Sequence, residues 1–190
     1  MRKEIKDFLK SDKMVLYLPR DYSRDVMSQW TSVRNVLVAP INFLLANFAK
    51  IIPCSNWISA FYRLFFRMKI GKKVAFVQID LDYLLPEAIE IGDDSTIGWK
   101  AKLMTHEFTQ DFQRYGEIII GKNVLVGGFS VVRCGVSIGD NSIVAACSFV
   151  NKDIPPNEIW GGVPAKRIEK RFKQTSNGKP TRAEIELSQF

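Results

Sequence analysis

The chain has 190 residues, 46% of them hydrophobic, and a formal net charge of +7. Length and composition fit one globular core with a small accessory segment, and exclude a low-complexity or fibrous chain. Three cysteines, with no metal-binding or redox spacing, point to reduced thiols and a cytosolic setting. The positive charge points to anionic partners without choosing among phosphates, nucleic acid and a membrane surface.

The start, MRKEIKDFLK, is charged and lacks the long apolar run of a signal peptide. Residues 1–19 read as a polar segment with one apolar patch, Val15 to Leu18. Residues 20–69 read as helical, punctuated by Pro40 and Pro53. Ser55 is placed to cap a helix running through Trp57, Ile58, Phe61, Leu64 and Phe65. Residues 1–69 are thus expected to be a helical leader that caps the segment after it. Residues 36–69 also fit peripheral membrane contact, with Arg63, Arg67 and Lys69 toward anionic headgroups. Pro40, Asn42, Asn47 and Lys50 break this stretch too often for a membrane span.

From residue 70 the pattern changes. Ile91, Ile97 and Leu103, and then Ile120, Val126, Val132, Ile138, Val144 and Val150, fall on a six-residue beat. Gly follows the beat at 92, 98, 121, 127 and 139. Small or β-branched residues stand four places after it, as at Ser95, Ala101, Ser130, Ser142 and Ser148. A period of six suits neither an amphipathic helix nor an alternating strand, but it is a period of strand solenoids. The beat residues should point inward and stack, and each Gly should ease a corner through φ > 0 and close backbone approach. Ile70 and Phe76 lie on the beat, the phase slips across 77–84, and Leu85 restores it. The solenoid is expected over residues 70–156, with an extension and polar tail over 157–190 that includes a short helix. Cys134 and Cys147 lie within the repeats and read as packing residues.

The beat breaks once. Leu103 and Ile120 are separated by an interval that is not a multiple of six, so residues 107–117 must leave the coil as a projecting loop. His106, the only histidine, stands at its root. Imidazole accepts protons near neutrality and suits general-base work. Glu107, Phe108, Asp111 and Tyr115 in the loop are candidate acceptor contacts, with Asp82 and Trp99 as candidates for a facing wall. One histidine and no Cys–His spacing argue against a catalytic metal. No nucleic-acid motif accompanies the charge.

The strings IEIGDDSTIG, MTHEF, IIIGKNVLVGG and GVSIGDNSIVAACSFVNKDIPPNEIWGGVPAKRI resemble the hexapeptide-repeat acyltransferases, in the branch of maltose, galactoside and xenobiotic acetyltransferases. The resemblance implies a mainly β fold, a left-handed parallel β-helix of triangular section. It further implies a homotrimer with active sites between subunits, acetyl-CoA as donor, and a hydroxyl or amine as acceptor. His106 matches the family's catalytic histidine. Gly128, Ala146, Asn151 and Lys152 match the groove for the coenzyme's arm. Gly128 replaces a serine, Asn151 a threonine, Leu125 a tryptophan and Cys147 a glycine. In KRIEKRFK, Lys166 and Arg167 are expected to meet the coenzyme's phosphates, and Lys170, Arg171 and Lys173 either do so or form a solvated helical face. The reading is a cytoplasmic O-acetyltransferase acting on a sugar or polysaccharide precursor. N-acetylation of an amine and a non-catalytic scaffold are the alternatives.

Overall fold

The computed structural model describes residues 1–170 except 24, 26 and 53. Pro53, Arg171 and Lys173 therefore lie outside the described residues. The chain opens with helix α1 (Lys3–Phe8), strand β1 (Val15–Pro19) and helices α2 (Trp30–Val33), α3 (Val38–Ala49) and α4 (Ser55–Phe66). Cys54, not Ser55, is the N-cap of α4.

Four coils of a left-handed β-helix follow. The first has strands β2 (Lys69–Ile70), β3 (Ala75–Phe76) and β4 (Asp80–Leu81). The second has β5 (Ile89–Ile91), β6 (Thr96–Ile97) and β7 (Lys102–Leu103). A hairpin, β8 (His106–Phe108) and β9 (Phe112–Gly116), interrupts the stack. The third coil has β10 (Ile118–Ile120), β11 (Leu125–Val126) and β12 (Val131–Val132). The fourth has β13 (Val136–Ile138), β14 (Ile143–Val144) and β15 (Phe149–Val150). The hairpin β16 (Glu158–Gly161) and β17 (Lys166–Lys170) ends the described chain.

Equivalent strands pair in parallel and form three flat faces. On the first face Ile70, Ile91, Ile120 and Ile138 stand in register. On the second, Phe76, Ile97, Val126 and Val144 do so, and on the third Leu81, Leu103, Val132 and Val150. These twelve side chains fill the interior and are at most 9% exposed. The small residues Ser95, Ser130, Ser142 and Ser148 are also buried and hydrogen-bond backbone carbonyls of neighbouring coils or turns.

The corners work differently from the expectation drawn from the glycines. Left-handed φ falls on the third residue after the beat: Lys73, Asp94, Asn123 and Asn141 at one corner, and Lys100, Phe129 and Cys147 at the next. None of Gly92, Gly98, Gly121, Gly127 or Gly139 has positive φ. They are required by close approach alone. At Gly127 a Cβ would stand 2.4 Å from the Ala146 nitrogen. Cys147 is accordingly exposed at a corner, while Cys134 is buried and its thiol is pushed up to about 11 by that burial.

Three further differences have local causes. In the first coil the second corner is one residue short, with φ +45 at Gln78, so Leu81 takes the beat. Leu85 does not join the stack. It packs in a second core with Ile5, Phe8, Val33, Ala39 and Tyr115. Second, the insertion is no free loop. β9 lies between β8 and β1 in an antiparallel sheet, so the Val15–Leu18 patch is a strand. Third, Lys166–Lys170 is a strand antiparallel to β16, not a helix. β16 itself extends the second face beyond Pro156, with Trp160 over Val144 at that end of the stack. At the other end Ala46 and Ala49 of α3 and Ile58, Tyr62 and Phe66 of α4 join the solenoid core.

Candidate active site

Both segments inserted into the stack leave from one corner, the one joining the third face to the first. The shorter insertion, residues 82–88, follows β4. The hairpin follows β7. Each residue that follows the beat at this corner, from Asp82 through Met104 and Arg133 to Asn151, is thereby aligned along the stack.

This alignment joins Asp82 to His106. Imidazole Nδ1 lies 2.5 Å from Asp82 Oδ2. The carboxylate also accepts the backbone N–H of Thr105 on Oδ2 and of Leu84 on Oδ1, each at 2.9 Å. Its side chain is 5% exposed and that of His106 is 23% exposed. Burial alone would raise the Asp82 carboxyl. The facing imidazole and the three donated hydrogen bonds outweigh burial and hold it below the usual carboxylate range. Nδ1 is engaged, and Nε2 has no hydrogen-bond partner among the described residues. The Phe108 ring packs on the imidazole at 4.8 Å between centroids. A cavity of about 180 Å³ borders His106, Tyr83, Lys102 and Met104.

The other expected acceptor residues are placed as follows. Glu107 is gripped by the Arg133 guanidinium at 2.6 and 2.7 Å, which pins the hairpin to the next coil. Tyr115 is fully buried and donates its hydroxyl to Gln113 Oε1 at 2.5 Å. Burial raises that phenol. Asp111 is exposed at the hairpin tip, where its carbonyl accepts the Arg20 backbone N–H. Trp99 stands at the other edge of the third face, donating to Gln78 Oε1 and stacking edge-on against Phe129.

The expected coenzyme residues divide between those two edges. Gly128 and Ala146 are on the Trp99 side, where the Phe129 N–H meets the Trp99 carbonyl and the Cys147 N–H meets the Gly128 carbonyl. Asn151 and Lys152 are on the His106 side. Lys166 and Arg167 are exposed on β17, and Arg167 pairs with Glu158 at 3.2 Å. The structure therefore brings together Asp82, His106 and Phe108, and separately Trp99, Gly128 and Ala146. Lys102 and Met104 were not singled out from the sequence. Their places beside Leu103 in the repeat were the available signal. Among the described residues, no group of three or more His, Cys, Asp or Glu side chains could hold a metal ion.

Residues 117–152 match the family described as bacterial transferase hexapeptide, six repeats. YvoF of Bacillus subtilis (strain 168), assigned as an acetyltransferase, is 34% identical over 72% of this chain and 76% of its own length. Galactoside O-acetyltransferase of Escherichia coli (strain K12) is 37% identical over 47% of this chain and 44% of its own. A hexapeptide-repeat acetyltransferase of Vibrio cholerae O1 biovar eltor, solved with acetyl coenzyme A, has a TM-score of 0.60. Its identity is 21%, with coverage of 79% of this chain and all of that one, so it speaks to the fold. The chain belongs to the hexapeptide-repeat acyltransferases.

Proposed function

We propose that the chain is an acetyl-CoA-dependent O-acetyltransferase in which His106 acts as general base on a hydroxyl of a sugar or polysaccharide precursor. The observation that carries this reading is the bond from His106 to the buried Asp82 carboxylate. A carboxylate that accepts a hydrogen bond from Nδ1–H orients the ring, selects its tautomer and leaves the Nε2 lone pair free to accept. The acceptor hydroxyl gives its proton to Nε2 while its oxygen attacks the thioester carbonyl. A C–O bond forms, the C–S bond breaks, and the sulfur departs as thiol with the proton returned by the imidazolium. Asp82 is a positioning residue here, because three donors already satisfy it.

Phe108 and the Tyr83–Lys102 edge of the cavity supply the acceptor wall, with Asp111 above it. Glu107 and Tyr115 support that wall from behind. For the donor, Gly128, Ala146, Asn151 and Lys152 meet the amide-bearing arm, and Lys166 and Arg167 meet its phosphates. Trp99, Gly128 and Ala146 lie across the third face from His106. A homotrimer in which that edge of one subunit faces the hairpin corner of its neighbour would complete each site.

The test is a thiol-release assay with acetyl-CoA and a panel of sugars and amino-sugars that offer hydroxyl or amine acceptors. The reading expects acceptor-dependent release and an alkali-labile acetyl ester. An alkali-stable amide product would replace oxygen by nitrogen as the acceptor, and no release with any acceptor would overturn the reading.

A further inference from the structure

Helix α3 is amphipathic in the reverse sense. Its buried positions are Ala39, Asn42, Ala46 and Ala49, while its bulkiest apolar side chains point away from the protein. Ile41 is 53% exposed, Leu44 66% and Phe48 54%. On α4, Trp57, Leu64 and Phe65 are likewise exposed, although the helix buries Ile58, Tyr62 and Phe66. The two outward faces meet where Phe48 contacts Phe61, which in turn stacks on Phe65. Singly exposed apolar residues need no explanation, but a contiguous patch of this kind marks an interaction surface.

The charge around it is one-sided. From residue 26 to residue 79 the chain has no Asp or Glu and seven Arg or Lys, which equals the whole formal excess of +7. Arg34, Lys50, Lys69 and Lys73 pair with acids from later in the chain. The side chains of Arg67 and Lys72 are exposed and have no acidic partner among the described residues. Large apolar side chains, an exposed Trp and a basic rim together fit the boundary of an anionic bilayer. An isologous pairing of two copies fits less well, because Arg67 and Lys72, which have no acidic partner among the described residues, would face the same cation-bearing surface. No helix among the described residues is long and apolar enough to cross a membrane.

We infer that the outward faces of α3 and α4 dock the protein on an anionic lipid surface. The docking rests on this surface alone. One consequence rests also on the catalytic reading. A cavity of about 290 Å³ walled by Phe43 and Asn47 of α3 shares Asp80, Leu81, Tyr83 and Lys102 with the His106 cavity. An acceptor carried at the lipid surface then has a path to the imidazole.

Flotation of the full chain with phosphatidylcholine vesicles, with and without phosphatidylglycerol, tests the docking. Binding is expected only when phosphatidylglycerol is present. Leu44→Asn and Leu64→Asn, both at exposed sites, should each weaken it at least about ten-fold. Arg67→Gln and Lys72→Gln should each weaken it about five-fold at low salt. His106→Ala should float like the unsubstituted chain, so failure of the catalytic reading and failure of the docking are distinguishable. Absence of flotation, flotation unchanged in both Leu variants, or a smaller oligomer without vesicle binding in those variants would overturn the inference.

Discussion

The described residues form two hydrophobic cores assembled by different rules. In the solenoid each beat residue packs on its equivalents one coil away, as Ile97 does between Phe76 and Val126. Stability of such a stack is a sum of nearest-neighbour contacts, and any rung resembles the next. The second core has no repeat. It draws Ile5 and Phe8 from α1, Val33 from α2, Leu84 and Leu85 from one insertion and Tyr115 from the other. His106 stands where the two meet, at the end of a solenoid strand and the start of a hairpin that β1 braces. The difference teaches that the stack supplies rigidity while the irregular core sets the position of His106.

The largest stability effect should come from the stack. Ile97→Ala empties a fully buried site and should cost about 2–5 kcal/mol in denaturant unfolding, with turnover retained in the fraction that stays folded. Asp82→Asn strikes the seam. The amide must turn its NH₂ toward Leu84 N–H or toward Thr105 N–H and His106, so turnover should fall on the order of a hundred-fold or more, with coenzyme binding intact. The folded protein holds this carboxyl below its unfolded value of about 4. The contribution is therefore complete above that pH and lost as pH falls through the lower folded-state value. Acid titration of unfolding should show a steeper loss below about pH 4 in the unsubstituted chain than in Asp82→Asn. Tyr115→Phe removes the donor to buried Gln113 Oε1 and should cost about 1–3 kcal/mol. At equal fractions folded it should lower turnover where Ile97→Ala does not. The reverse pattern would break the contrast between the cores.

How far each region could be read from the sequence follows the same division. Apart from the break between Leu103 and Ile120, the beat from Ile91 to Val150 recurs every six residues, so the stack and its inward side chains were legible. The corners were less so. The glycines announce them, yet left-handed φ falls on Asn, Asp, Lys, Phe and Cys two places later. The pairing of β1 with β9 joins residues about a hundred positions apart in the chain, and no periodicity reports it. His106 was singled out by its place at the break, and its position at the root of the hairpin was legible there. Asp82 was noticed only as a wall residue, because its link to His106 depends on a corner aligned through the one-residue phase slip before Leu81. The spacing of Trp57, Leu64 and Phe65 marked a helix correctly but not its orientation, since apolar periodicity cannot tell a face turned to the core from one turned to another phase.

The central claim is that the imidazole held by Asp82 takes the acceptor's proton. Steady-state turnover of His106→Ala with saturating acetyl-CoA tests it most directly, with coenzyme binding followed alongside. The account predicts a fall of about 10²–10⁴-fold in turnover and unchanged coenzyme affinity. Turnover within a few-fold of the unsubstituted enzyme would contradict it.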